Sequence, residues 1–177
     1  PRPRAGVHGG VTVKLALGVV GTLLLQRALG WPGIPPGATL ILLPMPFIVA
    51  SRISAREARW PWLGLAVGLG WDVMVASPVI GPGGIAWSAA GAVVGGVTAV
   101  VADRSAKMWF LLGGLGAAVV LVVQEVALLP LGLASPPHPA TVATIALTTA
   151  LWCAAVGAVR TASLAARWRR WRARKLH

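Results

Sequence analysis

Six apolar segments divide the chain, at about residues 11–30, 38–52, 60–78, 84–102, 108–131 and 140–160. A membrane-spanning helix needs roughly 20 apolar residues, with a range down to about 17. The second segment falls short of that length, and Pro44 and Pro46 remove two backbone donors from it, which predicts a break or a bend. The sequence therefore predicts an all-α integral membrane protein built as a six-helix bundle.

Basic residues are distributed unevenly between the connections, and this sets the predicted orientation. Of the 16 Lys and Arg residues, all but Arg27 lie in the N-terminal segment, the second and fourth connections and the C-terminal tail. The other three connections, 31–37, 79–83 and 132–139, contain no Lys or Arg. Because Lys and Arg accumulate on the cytoplasmic side, both termini are expected in the cytoplasm. We expect a transmembrane domain over residues 1–160 and a basic juxtamembrane tail over 161–177.

Composition agrees with a membrane protein and argues against a nucleic-acid-binding one. Only 11% of the residues are charged and the mean hydropathy is +0.77, whereas a soluble domain carries about 25% charged residues. The net charge of +12 follows from the basic cytoplasmic side, so no nucleic acid partner is expected. Seven of the nine tryptophans, Trp87 and Trp109 among them, fall near segment ends, where an aromatic belt is expected. Trp71 and Trp152 lie deeper.

The third segment carries an acid among glycines. Gly64, Gly68 and Asp72 recur every four residues, so they share one face of a helix. The small residues allow a second helix to approach closely, and the carboxylate then points into that contact. Asp72 lies about 18 Å from the inner end of this segment, just beyond the midplane. Two interpretations stay open: an acid that binds a partner or substrate, and an acid that bonds a neighbouring helix of the fold.

Three more polar residues lie towards the outer side of the membrane: Arg27, Gln124 and Glu125. Arg27 is the one basic residue away from the predicted cytoplasmic side. We expect its guanidinium either to pair with the carboxylate of Glu125 or Asp72, or to extend to the outer lipid headgroups.

Two further patterns concern packing and the membrane surface. Gly91 and Gly95 form a small-x-x-x-small pattern, which favours close packing within the fold over a partner interface. The tail combines basic and aromatic residues that suit a lipid interface: Arg167, Trp168, Arg169, Arg170, Trp171 and Arg172. On anionic lipid each basic residue contributes about 1 kcal/mol. Contact with a cytoplasmic protein is the alternative.

Motifs for catalysis or metal binding are missing from the sequence. There is no nucleophile elbow, no H-E-x-x-H pair and no phosphate-binding glycine loop. The chain has one cysteine, Cys153, and its three histidines have no second ligand at metal-binding spacing. The sequence therefore predicts a protein that is not an enzyme and that uses no cofactor or metal.

This arrangement resembles the MreD family of bacterial rod shape-determining membrane proteins. The family's third span has the form G-(L/F)-x-x-G-L-x-x-D followed by an outer glycine, and Gly64, Gly68 and Asp72 match it, with Gly81 as the outer glycine. The acid in the fifth span and the basic tail after the sixth span also lie where the family has them. Trp71, where the family usually has a small aliphatic residue, and the long arginine-tryptophan tail depart from the pattern.

The resemblance implies a non-enzymatic scaffold of the cell-wall elongation complex in the bacterial inner (cytoplasmic) membrane. The implied partners are an MreC-like single-span protein, RodA with its transpeptidase partner, and indirectly the MreB filament. The alternative is the substrate-binding component of an energy-coupling-factor vitamin transporter, which also has six spans. Its pocket would be lined by Trp31, Asp72, Gln124 and Glu125. Outer connections that are short and poor in polar groups favour the scaffold.

Overall fold

The computed structural model describes the backbone of residues 9–29, 41–54, 60–74, 79–100, 105–133 and 138–175. Side chains are described for 17–29, 41–51, 62–74, 79–100, 105–133 and 138–163. Over these ranges the chain forms six α-helices and no strand, which confirms the predicted all-α class. The helices are α1 (Gly9–Leu29), α2 (Met45–Ser54), α3 (Trp60–Met74), α4 (Pro82–Val100), α5 (Ala106–Leu128) and α6 (Pro139–Lys175). A 3-10 turn, Leu129–Leu131, extends α5.

Within the residues whose side chains are described, three helices are long and apolar enough to cross a membrane: Pro82–Val100, Ala106–Leu131 and Pro139–Ser163. The parts of α1 and α3 whose side chains are described, Leu17–Leu29 and Trp62–Met74, are apolar but shorter. Large aliphatic side chains remain exposed along these helices, as on α1, α5 and α6 at Leu17, Leu111 and Val159. Long apolar helices with exposed aliphatic side chains are the properties of a membrane protein.

The helices pack in a simple order. α3 lies against α4, α4 against α5, and α5 against α6, while α1 contacts α2 and α3. In the described part of the chain, the short α2 contacts all five other helices. Its side chains Met45, Ile48 and Val49 are at most 2% exposed. α2 is therefore the centre of the hydrophobic core.

The predicted break in the second apolar segment lies just before α2. The helix begins at Met45, directly after Pro44, and Pro46 lies in its first turn. Proline is tolerated there because the first N–H groups of a helix have no acceptor within the helix. Residues 41–44 are not helical.

Polar side chains from α1 and α6 satisfy the backbone of residues 41–44. The Leu42 N–H donates to Thr149 Oγ1 at 3.1 Å, and the Leu43 N–H donates to Gln26 Oε1 at 3.0 Å. The Leu43 carbonyl accepts a longer bond of 3.4 Å from Trp152 Nε1. Gln26 and Thr149 are 6% and 0% exposed, so these bonds replace water that cannot reach the segment.

α6 continues well past the end predicted for the sixth span. It runs without interruption from Pro139 to Lys175, 37 residues or about 55 Å. Residues 161–175, expected as a separate tail, are therefore a direct extension of the last helix. The side chains from 164 onwards, including the predicted lipid-interface set at 167–172, lie outside the described side chains.

The aromatic-belt prediction is wrong for Trp87 and Trp109, which are 0% and 2% exposed. A glycine makes the space for Trp109, since a Cβ on Gly157 of α6 would lie 2.7 Å from its ring atom Cδ2. The guanidinium of Arg160 lies over the same ring, 5.9 Å from its centroid. Trp87 packs instead against Trp71, with the ring centroids 5.8 Å apart. Both indoles therefore fill the interior.

We predict that Thr149→Val destabilises the protein by about 1–3 kcal/mol, because it leaves the buried Leu42 N–H without an acceptor at almost unchanged volume. Thr144→Val is the matched control, since the exposed Thr144 hydroxyl donates only to the Ala140 carbonyl of its own helix. Thermal unfolding of both variants in detergent, followed by circular dichroism, measures the difference. Equal transition temperatures would contradict the role given to Thr149.

Candidate functional site

The glycine face of α3 lies directly against α4, and we call this contact the α3–α4 seam. A Cβ on Gly64 would lie 2.6 Å from the Trp87 carbonyl oxygen and 2.8 Å from Ser88 Cα. A Cβ on Gly68 would overlap the Gly83 carbonyl and lie 2.6 Å from Gly84 Cα. Real Cβ atoms do not approach backbone this closely, so the two helices are in contact only because these positions are glycine.

Asp72 ends the seam by bonding to the start of α4. Its Oδ2 accepts the Gly81 N–H at 2.8 Å and the Gly83 N–H at 3.0 Å. Oδ1 shares the Gly83 N–H at 3.1 Å. The side chain is 1% exposed, so the carboxylate meets neither lipid nor water. This contact is the second of the two interpretations, an acid that bonds a neighbouring helix of the fold.

Asp72 acts as the N-terminal cap of α4, supplied by α3. The Ile85 N–H donates to the Gly81 carbonyl at 3.0 Å, the first bond of the helix, which makes Gly81 the residue at its cap position. The first N–H groups of a helix have no acceptor within it, and the helix dipole is positive at this end. A carboxylate there satisfies two orphan donors and is itself stabilised by the dipole.

The turn Gly81-Pro82-Gly83-Gly84 is built to receive the carboxylate. Gly81 has φ +134°, a conformation that residues with a side chain rarely adopt. Pro82 opens α4 at a position where a missing N–H costs nothing. A Cβ on Gly83 would overlap Asp72 Oδ1 and lie 2.8 Å from Cγ, so only glycine lets the carboxylate reach this N–H. The residue types at this turn are therefore the ones that its backbone conformation and its contact with Asp72 require.

The seam also holds a donor without an acceptor. Within the described residues, Trp87 Nε1 is the buried side-chain nitrogen or oxygen that has no hydrogen-bond partner. Its ring packs at 50° to that of Trp71, the residue that departs from the family pattern. A buried unpaired donor costs about 1–3 kcal/mol. The position of this indole is therefore decided by its apolar packing.

The glycines of α4 divide between the interior and the surface. Gly91 is buried and Gly95 half-buried. Between them, Val94 packs on α5, where its Cγ2 would lie 3.3 Å from a Cβ on Gly116. Gly96 points away, and a Cβ there would meet no atom within 4 Å. Gly91 and Gly95 thus lie mostly towards the interior, while the adjacent Gly96 is exposed.

Arg27, Gln124 and Glu125 do not join the seam. Arg27, in the last turn of α1, is exposed, and Gln124 and Glu125 on α5 are half-buried. In the described part of the chain, α5 touches neither α1 nor α3. The expected pairing of Arg27 with Asp72 or Glu125 within one chain is therefore absent among these described residues. The physical reason is twofold, because backbone N–H groups already occupy Asp72 and α2 lies between α1 and α5.

Sequence reasoning assigned no role to Gln26 and Thr149, the acceptors for residues 42 and 43. Their one sequence signal is a polar residue inside an apolar run. Chemically, the described side chains offer acceptors for backbone donors and faces for helix packing. They contain no group of three His, Cys, Asp or Glu residues placed to hold a metal ion.

The chain matches no protein-family model, no curated protein and no solved structure.

We predict that Asp72→Leu destabilises the fold strongly, because it leaves two N–H groups at the start of α4 without an acceptor, at about 1–3 kcal/mol each. Asp72→Asn keeps one carbonyl oxygen and should lose less. Gln124→Leu is the control, since Gln124 is half-buried and makes no side-chain hydrogen bond in the described part. Unfolding in mixed micelles ranks the three variants, and an Asp72→Leu protein as stable as the wild type would disprove the cap.

Gly68→Ala should also destabilise the protein, by about 1–3 kcal/mol, because its methyl group collides with the backbone of Gly83 and Gly84. Gly70→Ala is the matched control on the same helix. Its Cβ would meet only the flexible end of Leu23 at 3.0 Å, and alanine favours a helix over glycine by about 1 kcal/mol. If both variants unfold at the same temperature, the close approach of α3 and α4 is not required.

Proposed function

We propose that this protein is a non-enzymatic membrane scaffold of the MreD type, a component of the bacterial cell-wall elongation complex. In this role it spans the inner membrane six times, with both termini in the cytoplasm. It captures the membrane-spanning helix of an MreC-like protein and, through it, acts on RodA and its transpeptidase partner. Its link to the MreB filament is indirect, and the basic end of α6 lies on anionic lipid.

One observation supports this proposal most directly. The four residues of the family pattern, Gly64, Gly68, Asp72 and Gly81, are separated by up to 17 positions in the sequence. All four belong to the α3–α4 seam, as contact glycines, capping acid and capped turn. The four residues of the family pattern thus take part in one contact between α3 and the start of α4, and each residue type has a structural reason there.

The occupation of Asp72 favours a scaffold over the alternative of a vitamin-binding component. Both carboxylate oxygens accept backbone N–H groups, so the acid is engaged within the fold. Glu125 lies on α5, which makes no contact with α3 in the described part of the chain. The acids proposed to line one ligand pocket are therefore held on separated helices, and a role in helix docking agrees better with this arrangement.

The decisive experiment is purification from native membranes in mild detergent, followed by mass spectrometry of intact complexes. We expect a single-span protein with a periplasmic domain to co-purify in a fixed ratio. A stoichiometric vitamin-sized molecule without any protein partner would overturn the scaffold and support the transporter component.

The open face of α4 is our choice for the docking surface. Ala92, Gly96 and Val100 recur every four residues and are exposed, so a partner helix can approach the backbone there. The partner is a membrane-spanning helix, because this surface belongs to an apolar span.

Gly96→Leu should reduce recovery of the partner protein at least tenfold while leaving the fold intact, because the new side chain enters open space. The matched control is Gly21→Leu on α1, where a Cβ also meets no atom within 4 Å. Recovery is measured by quantitative mass spectrometry after affinity purification. An undiminished yield with Gly96→Leu would remove this face of α4 from the docking surface.

A further inference from the structure

Two opposite charges near the outer side of the predicted membrane domain have no partner within the described chain. The guanidinium of Arg27 is exposed, the Glu125 carboxylate is half-buried, and neither makes an ion pair or a side-chain hydrogen bond there. An unpaired charge in hydrocarbon is costly, so each normally has a counter-ion. Lipid headgroups can supply a counter-ion for Arg27, whereas a second protein chain can supply one for each of the two charges.

The other charged or titratable residues of the chain do not supply these counter-ions, and His138, in a predicted outer connection, makes no ion pair in the described part of the chain. Its four acids are Glu57, Asp72, Asp103 and Glu125. Glu57 and Asp103 lie in connections predicted on the cytoplasmic side, and Asp72 is engaged by the start of α4. Arg27 is likewise the one Lys or Arg outside the predicted cytoplasmic segments.

Arg27 and Glu125 lie at similar depths. Gly18 of α1 and Gly116 of α5 both lie beside the start of α2. A Cβ on Gly18 would lie 2.7 Å from Phe47 Cζ, and a Cβ on Gly116 would lie 2.9 Å from Met45 Sδ. Because Met45 and Phe47 are two residues apart on α2, the two glycines mark similar depths in the membrane. Arg27 is nine residues beyond Gly18, and Glu125 is nine residues beyond Gly116. Both positions are thus about 14 Å further along their helices. In the six-span topology α1 and α5 both run outwards.

In the described part of the chain, the surfaces next to these charges are not covered by other helices. On α1, Val20 and Leu24 are 50% and 52% exposed and lead along one face to Arg27. On α5, Val122 and Val126 are 42% and 55% exposed beside Glu125. Within the described residues α1 and α5 do not touch, so an ion pair between them inside one molecule would require the helices to rearrange.

We propose that a second copy of this chain provides both counter-ions, in a symmetric dimer with two ion pairs. The two-fold axis runs along the membrane normal, so equal depths in the two copies face each other. Arg27 of each copy pairs with Glu125 of the other, and the exposed aliphatic side chains beside them pack across the interface. Charge complementarity selects a second copy, because each chain carries one unpaired charge of each sign.

The test uses two differently tagged forms of the full-length protein, expressed together and purified through one tag. Wild-type copies should recover each other. Arg27→Glu alone, in both copies, should lower recovery at least tenfold, because both ion pairs of the interface are then replaced by pairs of carboxylates. Glu125→Arg alone should do the same with two pairs of arginines. A mixture of one Arg27→Glu copy and one Glu125→Arg copy should restore recovery, because one of the two contacts between the unlike copies then keeps its wild-type partners.

A double variant, which carries Arg27→Glu and Glu125→Arg in the same chain, is purified in the same way for comparison with that mixture. Between one Arg27→Glu copy and one Glu125→Arg copy, one contact joins the two substituted residues as a reversed ion pair and the other joins the wild-type Arg27 and Glu125. Both contacts are therefore attractive, as they also are between two copies of the double variant. Failure of the mixture of single variants would overturn the dimer, even if the double variant were recovered, because pairing within one chain would explain the double variant alone. Wild-type copies that do not recover each other, or single variants that recover each other normally, would overturn it as well.

A geometric measurement keeps the proposal falsifiable if a charge reversal prevents folding. Arg27→Cys in one tagged copy and Glu125→Cys in the other, both with Cys153→Ala, should be joined between unlike copies by a bis-maleimide reagent in native membranes, because its spacer takes the place of the two long side chains, which a direct disulfide is too short to do. The matched control places the first cysteine at Leu17 on the same helix, also exposed but ten residues from Arg27, and should give at least tenfold less of the cross-linked product. Equal cross-linking at the two positions would contradict the interface.

Discussion

The structure depends on satisfying backbone donors at places where helices begin inside apolar surroundings. The first N–H groups of a helix have no acceptors within the helix, and neither lipid nor apolar side chains can provide acceptors for them. Asp72 solves this for α4 from the end of α3. Gln26 and Thr149 solve it for the irregular residues before α2. In both cases the acceptor belongs to a different helix. The bond that satisfies a donor therefore also fixes the position of one helix relative to another.

This solution divides the fold into two linked parts. The α3–α4 seam is held at its glycine face by van der Waals contact and closed at one end by a carboxylate. The centre of the core is held by α2, whose preceding residues are bonded to α1 on one side and α6 on the other. α2 has 10 residues, or about 15 Å, so the second of the six proposed spans also needs the non-helical residues that precede the helix. α2 therefore connects helices that are not in direct contact with each other in the described part of the chain, such as α1 and α5.

The residues that share one face of a helix could be predicted from the sequence, whereas the contacts between helices could not. The four-residue spacing of Gly64, Gly68 and Asp72 follows from helix geometry alone, so the shared face could be predicted. The acceptor role of Asp72 towards Gly81 and Gly83 depends on how the following turn folds back, which spacing does not determine. Burial on a uniformly apolar helix was harder still, because such a helix gives no sign of which side faces lipid and which faces protein. Trp109 is buried through the opposing Gly157, which lies 48 residues away in the sequence.

The unbroken length of α6 has a mechanical consequence. A continuous helix of 37 residues behaves as a stiff rod, and after Pro139 it contains no proline at which to bend. Only its first 25 residues, Pro139–Ser163, form the apolar stretch suited to a bilayer. The remainder, roughly three turns, extends as a lever arm beyond the point where Gly157 receives the Trp109 ring. A small tilt imposed at the Pro139 end is thereby carried to the arginine-rich end as a displacement, without any change of fold between them.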